Sequence, residues 1–453
     1  MATTNADHDV PLSGVDDLLL PFHEACKPRS EFKVGTEAEK FGVLVETGEP
    51  LPFEGERSVR RVLSELQSRF GWEEDREYEH GDVIALHRDE GSITLEPGGQ
   101  LELSGAPFPT THATCREFRR HMAEVREICE PLGIVWLSMG FHPFARLAEL
   151  PRVPKLRYGI MERYLPTRGS RALDMMFRTS TVQANLDYSS EDDAVRKLRV
   201  SLALQPIVTA MFANSPCYEG QLSSRLTERA DVWLHMDPDR TGLLPFAWER
   251  DMSFQRYVEW ALDAPMFLIK HGAQVVPNTH QTFRTYMREG SEGLRATRGD
   301  WKTHINTLFP EARLKNTLEM RGADAQPTDL ICALPSLWKG LLYDDRALEQ
   351  SERLISPLDP ASLEAARPAI ARDALSAQLL GRSVHEWANE VVKIANESLD
   401  RQARKNEKGE SESVHLSRLT SWVAEGKTPA SVLRERVAGA SNFRAAVIDA
   451  ARI

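Results

Sequence analysis

Apolar residues recur at Val59, Val62, Leu63, Leu66 and Phe70 in ERSVRRVLSELQSRFGW, a spacing that places them on one side of a helix ended by Gly71. A few residues later the period changes. In DVIALHRDEGSITLEPGGQLELSG apolar and polar residues alternate, and turn signals at Asp89-Glu90-Gly91 and Pro97-Gly98-Gly99 divide the stretch into adjacent antiparallel strands. Helical spacing returns from about Thr111 to Pro131. A short helix is expected around Val15 to Ala25, and strand signals begin at Phe32. Around DMMFRTSTVQANLDYSSEDDAVRKLRVSLALQPIVTAMF a strand passes into a long helix, with Ser190 as N-cap and Asp193 three residues on. The stretch from Ala347 to Ile453 is largely helical, rich in alanine and charge, and broken by the polar loop RKNEKGESES.

These patterns predict an α+β protein in three parts: a flexible segment 1–14, a core 15–346, and a helical region 347–453 packed on that core. No internal repeat, low-complexity tract or Pro/Gly/Ser linker separates them. Composition changes this picture only by exclusion. A formal charge of −11 over 453 residues argues against a general nucleic-acid or acidic-membrane surface. The opening MATTNADHDVPLSGVDDLLL lacks the basic and apolar regions of a signal peptide, and no later stretch has the uncharged length of a membrane span, so a cytoplasmic protein is expected. Five cysteines without a CxxC pair fit neither a secreted disulfide framework nor a thiolate zinc cage.

Four stretches share one unusual face. In VGTEAEKFGV, Glu37 and Glu39 lie on the same side of a strand. In TLEPGGQLELSG, Thr94 and Glu96 oppose Ile93 and Leu95, and beyond the turn Gln100, Glu102 and Ser104 alternate with Leu101 and Leu103. In RTSTVQANLD, Thr181, Gln183, Asn185 and Asp187 oppose Val182, Ala184 and Leu186; in KNTLEMRGAD, Thr317, Glu319 and Arg321 oppose Leu318 and Met320. Residues two apart on a strand are roughly 7 Å apart, where two carboxylates repel by about 2 kcal/mol at an effective dielectric of about 20. If the strands are neighbours in one antiparallel sheet, Glu37, Glu39, Glu96, Glu102 and Glu319 converge on one concave surface while helices cover the other. Hard oxygen ligands arranged so suit Mg²⁺, which keeps waters and bridges to phosphate. The alternative is four unrelated, solvated strand faces.

Phosphate-binding motifs are otherwise missing. HRD at His87–Asp89 resembles a kinase catalytic loop, but Thr94 stands where the asparagine belongs and no DFG follows. GKT at Gly426–Thr428 lacks the upstream glycine of a P-loop, that place being Ser421. Phosphate contact must then run through metal and arginine, with Arg178, Arg240 and Arg321 as the candidates beside polar strand faces or in tight turns.

The long motifs GTEAEKFG, LEPGGQLELSGAP, MMFRTSTVQANLDYSSE, LALQPIVTAMFANSP, DPDRTGLLPF, RYVEWALDAPM, DWKTHINTLFPEARLKNTLEMRGAD and CALPSLWKGLLYD cover most of Phe32 to Asp345. In them the chain resembles the plant and proteobacterial type of glutamate–cysteine ligase, which makes γ-glutamylcysteine in glutathione synthesis. The resemblance implies a glutamine-synthetase-like fold whose curved antiparallel sheet holds ATP and Mg²⁺ on its concave face. It implies metal ligation by Glu37, Glu39, Glu96, Glu102, Glu319 and Gln183, catalytic roles for Arg240, Arg321 and Glu319, and substrate contacts from Thr181 and Arg240; Arg178, from its place beside a polar strand face, is expected as a further substrate contact. The implied reaction transfers the ATP γ-phosphoryl group to the side-chain carboxylate of L-glutamate and lets the α-amine of L-cysteine attack the acyl phosphate. A ligase of the same fold with another amine acceptor is the alternative, and the enzyme is expected as a monomer or homodimer. Cys115 and Cys332, in THATCREF and LICALP, fall where plant-type members carry a regulatory disulfide; two inert thiols are the other reading.

Overall fold

Strand β1 (Val34–Leu44) decides which side of the molecule is which, because its alternation separates two environments. In the computed structural model, which describes residues 10–77, 81–271 and 274–453, Val34, Thr36, Ala38 and Lys40 are buried on one face, while Glu37 and Glu39 are half-buried on the other. The strands β2 (Glu73–Arg76), β3 (Val83–Arg88), β4 (Gly91–Leu95), β5 (Leu101–Ser104), β6 (Ile134–Leu137), β7 (Thr181–Leu186), β8 (Ala312–Leu314) and β9 (Leu318–Asp324) complete a sheet of nine. Its order is β8–β9–β7–β1–β5–β4–β3–β2, with β6 alongside the far half of β1 at Phe41–Leu44 and every pairing antiparallel. The four polar faces therefore do belong to one surface.

Helices cover the opposite face. The helix Glu191–Met211 is buried almost all round, as expected of one enclosed between the sheet and further helices. Its N-cap is Ser190, whose hydroxyl accepts the Asp193 N–H at 3.2 Å. The helix Val59–Phe70 buries Val59, Val62, Leu63 and Leu66 and stops at Gly71, whose φ of 70° is the left-handed C-cap that glycine adopts without a Cβ penalty. Thr111–Cys129 and Ala333–Leu342 also pack against the sheet, the latter with all ten residues buried.

Beyond residue 345 the chain continues through the helices Asp345–Ile355, Pro360–Asp373, Val384–Gln402, Ser417–Ala424, Pro429–Val437 and Phe443–Ala451. One apolar core runs from Leu18 to Ala430 without interruption. A second, small cluster packs Leu433, Val437, Val447 and Ile448 on Val43, Leu137 and Met139. There the end of the chain pairs with β6, since Ser138 N–H donates to the Ala451 carbonyl and Ile453 N–H to that of Trp136, both at 3.0 Å. Occupying those backbone groups blunts a sheet edge that would otherwise be open to another chain. At the other terminus, residues 1–9 of the expected flexible segment lie outside the described residues; Leu12 N–H donates to the Ala296 carbonyl and Arg298 N–H to that of Val10, both at 2.9 Å.

Several elements had no sequence signal. All four residues of β2 are exposed, so it shows no alternation. The helix Leu156–Tyr164 buries only Tyr158, Ile160 and Met161, which do not form a stripe.

The loop in RKNEKGESES leads into a buried lock. Glu412 is fully buried and accepts the Thr111 backbone N–H, the Thr111 hydroxyl at 3.0 Å and the Lys339 ammonium. Lys339, itself buried, also donates to the Pro109 carbonyl at 3.1 Å. Glu412→Ala strands that ammonium in the interior and is expected to cost about 3–5 kcal/mol, whereas the paired replacement Glu412→Leu with Lys339→Met recovers most of the loss. Denaturant unfolding of the three proteins checks this.

Candidate active site

Cross-strand register brings the acidic residues together. Glu39 lies opposite Glu102, Glu37 lies opposite Ser104 on one side and Gln183 on the other, and Thr94 lies opposite Glu102. Glu96 follows β4 at the start of the Pro97-Gly98-Gly99 turn, which closes through Glu96 N–H to the Gln100 carbonyl at 3.0 Å. With Glu319, Arg313, Lys315 and Arg321 from the β8–β9 hairpin, these residues line a cavity of about 610 Å³. Arg157, Lys155 and Lys270 line it from outside the sheet.

The acidic residues are of two kinds. Glu39 accepts the Thr181 backbone N–H at 3.0 Å, yet burial and the neighbouring Glu96 and Glu102 push its carboxyl well above the usual range. Burial, then Glu37 and Glu96, push Glu102 up to about 8, against hydrogen bonds from the Ser104 and Thr94 hydroxyls. Glu37 is raised by burial and by Glu319, although Asn185 Nδ2 donates to it at 2.9 Å. Glu319 behaves in the opposite way. Burial opposes its ionisation, but Arg313 (2.6 Å), Lys315 (3.1 Å) and Arg321 (3.1 Å) hold it well below the carboxylate range. Both oxygens of Glu319 are thus paired with cations, so it anchors positive charge on this side of the cavity.

Among the described residues, no three carboxylates, histidines or cysteines are grouped tightly enough to cage an ion alone. Mg²⁺ does not require that, because it retains waters and bridges to phosphate. The donor set fits the ion: Glu37, Glu39 and Glu102 are hard oxygen groups whose mutual repulsion a cation relieves.

A smaller chamber of about 120 Å³ opens off the cavity, sharing Glu39, Glu96, Arg157 and Arg321 with it and adding Thr181, Arg229 and Trp233. Arg229 and Trp233 sit on the short helix Glu228–Trp233, N-capped by the Thr227 hydroxyl. Arg229 is 3% exposed; its Nη2 donates to the Arg321 carbonyl at 2.8 Å, whereas its Nε and the indole N–H of Trp233 are buried without a partner. The carbonyl that Arg229 meets lies at a β-bulge between Met320 and Ala323, an irregularity that re-aims side chains beside a site. At Gly322 in the same bulge the side chains of Glu311 and Gln205 come close, since a Cβ would lie 2.5 Å from Glu311 Oε2 and 2.6 Å from Gln205 Nε2.

Not every residue singled out in the sequence reaches the cavity. Gln183 lines it, with Oε1 accepting from Arg321 at 2.8 Å, and Thr181 lines the inner chamber, with its hydroxyl proton spent on the Ala323 carbonyl at 2.6 Å. Arg240 requires correction. It is fully buried and donates to Asp237 (2.7 Å), the Thr307 carbonyl (3.2 Å) and the Pro265 carbonyl (2.7 Å) while lying over Phe267, so its fork braces backbone behind the cavity and has no face toward a substrate. Arg178 is corrected likewise. It is 2% exposed, bonded to Asp174 at 3.1 Å and Glu219 at 3.2 Å, and it lies against Phe141 and Tyr218, outside the lining of both cavities. Conversely, Arg313 and Lys315 went unremarked although their signal was present, since the alternation of Glu319 and Arg321 continues back across the turn to Arg313, the register partner of Glu319. Cys115 and Cys332 are brought together as a disulfide with Cα atoms 5.8 Å apart.

The family model described as glutamate–cysteine ligase family 2 (GCS2) matches residues 33–448. The chain belongs to that family. It is 41% identical over 421 residues to the chloroplastic glutamate–cysteine ligase B of Oryza sativa subsp. japonica, covering 92% of this chain and 83% of the relative. It is also 41% identical over 428 residues to the chloroplastic glutamate–cysteine ligase of Arabidopsis thaliana, covering 94% and 80%. A crystal structure of the Francisella tularensis glutamate–cysteine ligase in complex with AMP shares the fold, with a TM-score of 0.55, 12% identity, and coverage of 93% of this chain and 87% of that one. These findings also correct the expected cytoplasmic placement, because the family relatives at this level of identity are chloroplastic enzymes.

The raised carboxyls make stability depend on pH. Glu39 and Glu102 hold protons in the fold that the unfolded chain has already lost, so without a cation their contribution falls as pH rises above the ordinary 4.5, for Glu102 through about 8. Glu102→Gln is therefore expected to melt above the parent in chelator, with a gap that widens from about pH 5 to about pH 8 and shrinks when Mg²⁺ is added. Scanning fluorimetry across that range, with and without Mg²⁺, measures it.

Proposed function

We propose that this cavity joins the γ-carboxylate of L-glutamate to the α-amine of L-cysteine at the expense of ATP, giving γ-glutamylcysteine, ADP and phosphate. The observation that carries the reading is the register that sets Glu37, Glu39, Glu96 and Glu102 on one wall against Arg313, Lys315 and Arg321 on the other, in a chain of this family. A carboxylate oxygen is a poor leaving group and phosphate a good one. The γ-phosphoryl group therefore passes first to glutamate, and the amine then expels phosphate from the acyl phosphate.

Glu39, Glu96, Glu102 and Glu37 are the residues assigned to Mg²⁺, with Gln183 beside them. The bound ion neutralises phosphate charge. Arg313, Lys315 and Arg321 meet the transferring phosphoryl group from the opposite side, and Glu319 fixes all three without spending their outward N–H groups. No side-chain nucleophile takes part, so the protein acts by positioning and by placing charge. The inner chamber takes glutamate. There Arg229 offers an unpaired Nε to a carboxylate, Trp233 an unpaired indole N–H, and the Thr181 backbone N–H keeps Glu39 aimed at the junction with the larger cavity. Both donors are buried, and a buried donor without a partner costs about 1–3 kcal/mol until a ligand satisfies it.

Two measurements test this. ADP formation from ATP, Mg²⁺ and glutamate should rise sharply with cysteine, and a panel of amines should give cysteine the largest kcat/KM; a stronger response to another amine overturns the acceptor assignment. Arg229→Lys loses the planar fork and should raise KM for glutamate by about tenfold or more while leaving KM for ATP near the parent value. Equal changes in both constants would remove Arg229 from the glutamate site.

A further inference from the structure

Outside the lining of both cavities, the Cys115–Cys332 disulfide carries two histidines on one side. The Cys115 sulfur lies 3.5 Å from Nδ1 of His415, His415 Nε2 lies 2.9 Å from His112 Nδ1, and His112 Nε2 lies 3.2 Å from the Arg404 carbonyl. This chain of contacts fixes the tautomers. A carbonyl only accepts, so His112 carries its proton on Nε2; its bare Nδ1 then accepts, so His415 donates from Nε2; and the lone pair of His415 Nδ1 is left facing the sulfur. We propose that His415, oriented by His112, is the base that takes the proton from Cys115 when this disulfide closes.

The two sulfurs are not equivalent. Cys115 is 1% exposed on the helix Thr111–Cys129, whereas Cys332 is half-buried and N-caps the helix Ala333–Leu342, where the helix dipole favours a thiolate. The sequence of steps follows. The Cys332 thiolate attacks an external low-molecular-weight disulfide, forming a mixed disulfide and expelling one thiolate, which takes a proton from solvent. Cys115 gives its S–H proton to His415 Nδ1, and its sulfur attacks that of Cys332. The bond to the external group breaks, the second thiolate leaves and takes the proton from His415, and two electrons have passed from the protein to the external disulfide. Burial and His112 lower the His415 imidazole to about 4, so it stands neutral with its Nδ1 lone pair free but is a weak base, which relays the proton to the departing thiolate as the S–S bond forms and does not store it. The charged groups around it are Arg119 on the Cys115 helix and Glu410 and Glu412 on its own loop, Glu412 being paired with Lys339. None of these lines the catalytic cavity, so the inference stands apart from the ligase reading.

The test uses the reduced full-length protein and 2-hydroxyethyl disulfide, with acid-quenched mass spectrometry following mixed disulfide and closed disulfide in time. In His415→Asn an acceptor atom remains where Nδ1 stood but no base does. Closure at about pH 7 should slow by about tenfold, the mixed disulfide should accumulate on Cys332, and the deficit should shrink as pH approaches the ordinary thiol value of about 8.5. His112→Ala keeps the base, frees its tautomer, and should slow closure by a smaller factor; it carries the test if the asparagine variant does not fold, as judged by circular dichroism and ligase activity. Closure of folded His415→Asn at the parental rate, or a first mixed disulfide on Cys115, overturns the proposal.

Discussion

Everything at the cavity depends on one electrostatic arrangement: a sheet face that gathers carboxylates faster than it can neutralise them. Glu39 and Glu102 are direct cross-strand partners, and like charges in that position repel. Burial first, and the neighbouring carboxylates second, favour the protonated forms, which is why both carboxyls sit above their usual range. Cations answer the charge at the other end, where Glu319 is surrounded by Arg313, Lys315 and Arg321. The surface is therefore polarised along the sheet, acidic and proton-hungry across β1, β4 and β5, basic across β8 and β9. A metal-bound polyphosphate has the matching polarity, cation on one side and anionic oxygens on the other.

Holding such a face together requires rigidity elsewhere. Behind it, the buried side of β1 meets Thr111–Cys129 and Ala333–Leu342, and β9 meets the enclosed helix Glu191–Met211. Close packing on that side prevents the strands from sliding apart under the repulsion on this one, since a shift by one residue would invert every side chain. Arg240 contributes in the same indirect manner. Its three hydrogen bonds tie Asp237, Thr307 and Pro265 together, and Thr307 lines both cavities.

How far the sequence could be read follows from the same physics. Strand parity is visible wherever one face is apolar, so Glu37, Glu39, Glu102 and Glu319 could be assigned to a single surface from alternation with Ala38, Leu101, Leu103, Leu318 and Met320. The inner chamber was not legible. Arg229 and Trp233 lie on a helix of six residues, too short to show a period, and only tertiary packing carries it to the cavity. Arg240 misled for a related reason: an arginine in a tight turn beside two aspartates looks the same in sequence whether it faces a ligand or braces backbone, and only its complete burial distinguishes the two. The expected compartment rested on the missing features of a secretory signal and membrane span, which do not bear on the chloroplast named for the relatives.

The disulfide and the catalytic face meet through one helix. Cys332 caps Ala333–Leu342, which lies on the buried side of β7 and β1, the strands that carry Gln183, Glu37 and Glu39 on their other side. Opening or closing the S–S bond acts at the first turn of that helix, where backbone N–H groups have no partner within the helix and the local free energy is most easily altered. Thr111 and Ser336 add a hydrogen bond of 2.9 Å between the two disulfide-bearing helices, and Glu412 fastens Thr111 to Lys339 across them. The pair is thus held by several independent contacts besides the covalent one. Reduction consequently removes one of several ties between these helices, and the packing of Ala333–Leu342 on β7 and β1 is the structural route from the disulfide to the strands that carry the carboxylates.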